Sequence, residues 1–125
     1  MSTNIAYAVV QCSNYSTPNV TVVSKFGISA VVNQDAGLFI VTFEDSFFSD
    51  VPAVQVTAMF NGNSGSQLNS VTTSDLAPSM SPANQMVHAC ILWTTPIQCQ
   101  IRTAFSDQAF GNWLSFSITA VGVGD

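Results

Sequence analysis

The chain has 125 residues, a length that predicts one domain able to bury a core without metal or disulfide support. Seven acidic residues stand against two basic ones, Lys25 and Arg102, and the net charge is −5. This balance argues against nucleic acid and anionic membrane surfaces as partners, because both require clustered cations. Only 7% of the residues are charged, against about 25% in typical domains. The composition therefore predicts an oligomer whose uncharged surface is covered by another subunit.

The N-terminus and the cysteines bear on the cellular compartment. No basic segment followed by a long apolar core opens the chain, so we expect no signal peptide and a cytoplasmic or virion component. No apolar run approaches the roughly 18 residues of a membrane helix, so membrane insertion is not expected. Cys12, Cys90 and Cys99 are an odd count without a C-x-x-C motif, which argues against a disulfide framework and a zinc site. We predict no cofactor and no metal.

The first third of the chain is rich in β-forming residues. Residues 5–12 predict a first strand, followed by a turn at residues 13–19. Residues 20–32 predict a second strand with a bulge at residues 25–27, since an isolated glycine inside a strand often marks one. A short connection at residues 33–37 then predicts a hairpin with the next strand.

The stretch 37–60 organises the predicted fold. Two β-rich runs, residues 38–43 and 54–60, are joined by a polar corner that ends at Pro52. The first run alternates Phe39, Val41 and Phe43 with Leu38, Ile40 and Thr42. Both sets are largely apolar, so we expect one face to meet the opposite sheet and the other a neighbouring subunit. The second run places Val54, Val56, Ala58 and Phe60 on its inner face.

The rest of the chain predicts a long loop, a hairpin and a closing strand. The loop covers residues 61–85 and is rich in Ser, Asn, Gln and Thr, which suit either sugar hydroxyls or solvent. The hairpin, residues 86–93 and 97–104, has a predicted two-residue turn at residues 94–95. This register places Cys90 opposite Cys99 and His88 opposite Ile101, with both thiols buried and reduced. The closing strand alternates Leu114, Phe116, Ile118 and Ala120 with polar residues.

About eight strands at spacings near ten residues, with no helical periodicity, predict an all-β fold. The pattern specifies an antiparallel sandwich or barrel, and of these we expect a single antiparallel β-sandwich over residues 1–125, jelly-roll-like and without substantial helix.

No residue set predicts a reaction. His88 fits either a packed histidine with one hydrogen bond or a ligand contact. The segment 62–65 does not match the G-x-S-x-G elbow, which argues against a catalytic triad. The remaining candidates are four carboxylates near the ends of the central strand, which suit a carboxylate pair, a calcium site or solvated corners: Asp35, Glu44, Asp45 and Asp50. We predict that the protein is not an enzyme.

Aromatic residues and one cation are the candidate ligand contacts. Tyr7, Tyr15, Trp93 and Trp113 flank predicted strands, a placement that fits stacking on a sugar, a subunit boundary or the edge of the core. Arg102 shares a face with Gln98 and Gln100, which suits either an intersubunit ion pair or a ligand clamp.

A family resemblance adds to this interpretation. Val41-x-Phe43, Phe47, Pro52-x-Val54-x-Val56 and the closing run 116–122 together resemble the H-type lectin domain and are similar to the β-sandwich heads of bacteriophage tail fibres. The resemblance covers residues 37–122 and implies an antiparallel sandwich of six to eight strands that assembles as a trimer and binds glycans at subunit boundaries.

One departure concerns the lectin's Trp-His pair in the penultimate loop. That pair has no counterpart near residues 107–112, so no binding residue is carried over from the family. The ligand-binding residues predicted for this chain are Arg102, Trp113, Trp93, Asn112 and Asp107. The sequence thus favours a non-enzymatic oligomeric module, a homotrimer, that recognises a carbohydrate or a cell-surface receptor. The alternative is a structural subunit of a fibre, coat or capsid-like assembly.

Overall fold

A computed structural model describes residues 2–13, 19–35, 37–59, 87–105 and 115–124. These residues form eight strands and no helix, which confirms the all-β prediction. The strands are β1 (Ser2–Ser13), β2 (Asn19–Phe26), β3 (Ile28–Asp35), β4 (Leu38–Phe43), β5 (Ala53–Met59), β6 (Val87–Thr94), β7 (Gln98–Phe105) and β8 (Ser115–Gly124). A helix long and apolar enough to cross a membrane is not found in the described part of the chain.

The strands form two antiparallel sheets that pack together as a sandwich. Sheet A has the order β2-β1-β8-β5, and sheet B has the order β3-β4-β7-β6. The inner faces meet in one apolar core, in which the rings of Phe39 on β4 and Phe116 on β8 lie 5.0 Å apart. The core residues are Ala6, Ala8, Val10, Ile28, Phe39, Val41, Phe43, Phe48, Cys99, Ile101, Phe116, Ile118 and Ala120. Their burial supplies the main driving force for folding.

The predicted sequence of strand, corner and strand is confirmed in the central stretch. β4 belongs to sheet B and β5 to sheet A, so the corner between them crosses the sandwich. Phe48 closes this end of the core, because its ring packs edge-to-face on both Phe43 and Phe47 at 5.0 Å. The corner is held to β8 by Ser49, whose backbone N–H donates a 2.8 Å hydrogen bond to the carbonyl of Val123.

The inward alternation predicted for three strands is also confirmed. Phe39, Val41 and Phe43 are buried, as are Phe116, Ile118 and Ala120 on β8. Val54 and Val56 on β5 pack against the core. Phe60 and Leu114, which were assigned to the same faces, lie outside the described residues.

The bulge predicted at residues 25–27 is wrong, because Gly27 is the point where the chain passes from sheet A to sheet B. β2 ends at Phe26 and β3 begins at Ile28 in the other sheet. Gly27 has a φ of 73°, and a Cβ placed there would lie 2.6 Å from the ring of Phe47. Glycine meets both demands, since it tolerates positive φ and carries no Cβ. β3 does pair with β4 as the predicted hairpin.

The hairpin of β6 and β7 turns two residues later than predicted. The N–H of Thr95 donates a 2.8 Å hydrogen bond to the carbonyl of Gln98, so Pro96 and Ile97 form the tip. The hydroxyl of Thr95 accepts hydrogen bonds of 3.1 Å from the N–H groups of both Ile97 and Gln98. Proline suits this tip because its φ is fixed near −65° and it has no N–H for the ladder.

The shifted turn changes which residues face each other. Cys90 lies opposite Arg102 and Thr94 lies opposite Cys99, with a bulge between Ile91 and Trp93. The predicted contact of Cys90 with Cys99 is therefore wrong. Cys99 is buried in the core while Cys90 is exposed, and both are free thiols. The side chain of Cys12 is not among those described.

The same shift corrects two neighbouring predictions. Residue 97 was expected to begin the second strand of the hairpin, but Ile97 sits at the turn and is 68% exposed. His88 was assigned a position opposite Ile101 on a buried strand, yet it lies opposite Ala104 and is exposed.

Candidate functional site

The outer side of sheet B carries several polar side chains that can contact a ligand. We call this surface the amide face and define it by Gln34, Ile40, Trp93, Gln98, Gln100 and Arg102. β7 places three of these residues there, because Cys99 and Ile101 between them point into the core. β4 contributes Ile40, which pairs with Gln100 across the strands.

A chain of hydrogen bonds runs across this face. The indole Nε1 of Trp93 donates to Oε1 of Gln100 at 2.8 Å. Nε2 of Gln100 in turn donates to Oε1 of Gln34 at 2.8 Å. Gln34 belongs to β3 and Gln100 to β7, so this second bond passes over β4, which lies between them in the sheet. The amide groups are thereby oriented before any ligand arrives.

The bulge in β6 puts Trp93 in this chain. With the register interrupted between Ile91 and Trp93, the indole lies opposite Gln100 and reaches its amide. Trp93 remains 37% exposed. Since its only polar hydrogen is already donated, the exposed part of the side chain consists mainly of apolar ring.

Arg102 lies beside this chain on the same face. It is two residues beyond Gln100 on β7 and pairs with Leu38 on one side and Cys90 on the other. The side chain is half-buried and its Nε atom is buried, so the guanidinium is held near the sheet surface. The structure thus brings together two of the predicted ligand residues, Trp93 and Arg102, on one surface.

The other predicted ligand residues are not placed. Asp107, Asn112 and Trp113 lie outside the described residues, as do Tyr15 and the long loop of residues 61–85.

The outward-facing side chains of β4 are partly buried by neighbouring residues of the same chain. Leu38, Ile40 and Thr42 were expected to meet a neighbouring subunit. They are only half-exposed already, because they pair with Arg102, Gln100 and Gln98 of β7, whose long side chains stand beside them.

The chemistry of the amide face is that of recognition. It offers an aromatic ring, amide donors and acceptors, and one guanidinium, all of which suit sugar hydroxyls. Among the described residues, no group of three or more His, Cys, Asp or Glu side chains lies close enough to hold a metal ion. On the core side of β7, burial raises the pKa of the Cys99 thiol from 9.0 to about 12, because the thiolate would lose its solvation.

Sequence reasoning missed Gln34 and the link between Trp93 and Gln100. Gln34 was placed in a connecting turn, whereas β3 continues to Asp35 and carries it across the sheet surface. The run Gln98-x-Gln100-x-Arg102 was recognised by its alternation. Only the bulge opposite this run, which depends on the position of the turn, brings the indole to Gln100.

The outer side of sheet A is different in kind. We call it the uncharged face and define it by Thr3, Ile5, Tyr7, Val9, Phe26, Ala53, Gln55, Thr57, Ser117, Thr119 and Val121. Four of them are large and apolar with much exposed surface: Ile5 at 51%, Tyr7 at 43%, Phe26 at 57% and Val121 at 40%. The rings of Tyr7 and Phe26 stack across β1 and β2 at 6.0 Å, with an angle of 16° between their planes.

Among the residues that the structure describes, no enclosed ligand cavity is found. Comparison with known protein families, with curated proteins and with solved structures finds no match to this chain.

Proposed function

We propose that this chain is a non-enzymatic binding module, assembled as a homo-oligomer, that recognises a carbohydrate through the amide face. The observation that carries the proposal is the hydrogen-bonded chain from Trp93 through Gln100 to Gln34 beside Arg102. An exposed aromatic ring next to fixed amides suits a sugar, which has an apolar ring face and hydroxyl groups around its edge.

The fixed amides lower the cost of binding. Gln100 uses one lone pair for Trp93 and one N–H for Gln34, which leaves a second N–H and a second lone pair for a ligand. A glutamine that is free to rotate would lose rotamer entropy when it binds, at a cost of about 0.5 to 1.5 kcal/mol. Part of that cost is already met in the folded chain.

The resemblance to H-type lectins and tail-fibre heads supports the same proposal and adds a trimer as the expected assembly. A flat, open face binds a single sugar weakly, so several copies that present the face together would gain from multivalency. Cell-surface glycans, which repeat the same sugar many times, are the ligands that suit such an arrangement.

A glycan array probed with the intact parent protein tests the proposal. We expect binding to a limited set of sugars and loss of that binding in Gln100→Ala. Gln55→Ala, checked by light scattering to keep the parental mass, is the matched control, since Gln55 is an exposed glutamine on sheet A, away from the amide face. Binding that persists unchanged in Gln100→Ala would contradict a site on the amide face.

A second candidate function is a structural subunit of a fibre, coat or capsid-like assembly. The uncharged face favours it, because a broad surface without charges suits burial between subunits. If the parent binds no glycan, this function replaces the first.

A further inference from the structure

We propose that copies of this chain associate through the uncharged face of sheet A. The inference deepens the proposed function, since it takes the homo-oligomer from there and names the surface through which it forms. Its partner is a second copy of the same chain.

The apolar residues of this face are central rather than scattered. In the order β2-β1-β8-β5, the two inner strands are β1 and β8. Ile5 and Tyr7 lie on β1 and Val121 lies on β8, with Ile5 directly opposite Val121. Ala53 on β5 extends that row to the edge of the sheet. A central apolar cluster with polar residues around it is the usual form of an interface hot spot.

The absence of charge points to a second copy as the partner. The chain carries a net charge of −5, so two copies repel each other wherever like charges meet. The four acidic residues that the structure describes, Asp35, Glu44, Asp45 and Asp50, belong to the end of β3 and the corner. Among the described residues of the uncharged face there is no charged side chain, whereas the amide face carries Arg102. Two copies can therefore approach through sheet A without like-charge repulsion.

The size of the face is also adequate. Four strands spaced about 4.8 Å apart, with a length of about 3.4 Å per residue over the 10 residues of β8, cover roughly 650 Å² before side-chain relief is counted. A standard protein interface buries about 800 Å² per partner. The uncharged face supplies an area of that order.

This geometry has a consequence for binding. The uncharged face and the amide face lie on opposite sides of the sandwich, because they are the outer sides of its two sheets. An oligomer that buries the first face leaves the second exposed on every copy. In a pair formed in this way the two amide faces point in opposite directions, and each remains accessible to its own ligand.

Light scattering of the full chain tests the inference, with the parent compared against Thr119→Arg and Val121→Glu. Thr119 is already exposed and lies opposite Tyr7, so Thr119→Arg adds a charge at the centre of the face and leaves its large apolar residues in place. We expect the parent to be an oligomer and each variant to associate at least about tenfold more weakly, because a charge would be buried without a partner. The control is Val32→Glu, which places the charge of Val121→Glu at a valine that is 53% exposed on β3 of sheet B. It should keep the parental mass.

Circular dichroism and thermal melting establish that each variant is folded, and Thr119→Arg decides the test if Val121→Glu does not fold. A monomeric parent, or a folded Thr119→Arg that keeps the parental mass, would overturn the inference. Glycan titration of the dissociated variant is read separately. The parent could bind no glycan while the Thr119→Arg variant still fails to form the oligomer. In that case the proposed function fails and the inference about this face stands.

Discussion

Trp93 and Gln100 face each other across β6 and β7, and the indole of Trp93 donates its only polar hydrogen to the amide oxygen of Gln100 at 2.8 Å. The contact depends on the bulge that precedes Trp93 and on a turn at Pro96 and Ile97. The backbone geometry of the hairpin therefore determines part of the surface that we propose for ligand binding.

Gln100→Leu should release the indole hydrogen of Trp93. We expect this indole N–H resonance to shift and its hydrogen exchange to become faster, because leucine offers no acceptor. Two-dimensional NMR of the indole region measures this, and Trp93→Phe assigns the signal, since the chain has 2 tryptophans. Gln98→Leu is the matched control, because Gln98 shares the strand and the face but pairs with Thr42. An indole signal that does not change in Gln100→Leu would contradict the hydrogen bond.

Phe43→Ala should destabilise the fold by roughly 3 to 5 kcal/mol, because it removes a buried ring from the core. Phe43 is 2% exposed and packs edge-to-face on Phe48. Urea denaturation measures the change, with Ile97→Ala as the control, since Ile97 is 68% exposed at the tip of the hairpin and lies on neither outer face. The control should cost less than half as much. Equal losses in the two variants would show that Phe43 is not a core residue.

Gly27→Ala should destabilise the chain where it passes between the sheets. The left-handed backbone conformation costs a non-glycine residue about 1 to 2 kcal/mol, and the new Cβ would lie 2.6 Å from the Phe47 ring. The steric part should be relieved by Phe47→Leu, so the double variant should lose less stability than the two single losses added together. Simple additivity in a denaturation cycle would contradict the contact.

Cys99 should make stability fall at alkaline pH. Its thiol keeps its proton up to about pH 12 when folded, whereas it ionises near 9.0 once exposed. Unfolding therefore releases a proton between these values, and the free energy of unfolding should fall by about 1.4 kcal/mol per pH unit in that window. Below pH 9 the thiol is protonated in both the folded and the unfolded chain, so it causes no loss of stability there.

Cys99→Ala removes the titrating group, so its stability should fall less steeply than that of the parent between pH 9 and 10.5. Urea denaturation at several pH values compares the two slopes. The exposed thiol of Cys90 provides the control, because Cys90→Ala should leave the parental slope in place. Parallel curves for Cys99→Ala and the parent would mean that the thiol is not buried as described.

The sheets could be predicted from the sequence because one side of each is buried. Alternation in β4 and β8 identified Phe39, Val41, Phe116 and Ile118 as core, and burial of one face fixes such patterns strongly. The passage between sheets at Gly27 could not be read from alternation, since a glycine between two β-rich runs is equally compatible with a bulge.

The candidate site was harder to predict because it depends on register. Moving the turn from residues 94–95 to Pro96 and Ile97, with a bulge after Ile91, exchanges the partners of the whole hairpin. As a result, Cys90 lies opposite Arg102 instead of Cys99, and Trp93 lies opposite Gln100. The proline was a usable signal, since it has no N–H for the ladder and favours a turn position. Gln34 offered no such signal, because its partner is distant in sequence.

The most direct test of carbohydrate recognition by the amide face is calorimetric titration of Trp93→Ala with a glycan that the parent binds on the array. We expect at least a tenfold loss of affinity per site, since the stacking surface is removed and the amide of Gln100 loses its donor. Tyr7→Ala is the matched control, because Tyr7 is a similarly exposed aromatic residue on the uncharged face and should keep the parental affinity per site. Equal affinity in Trp93→Ala and the parent would contradict the central claim.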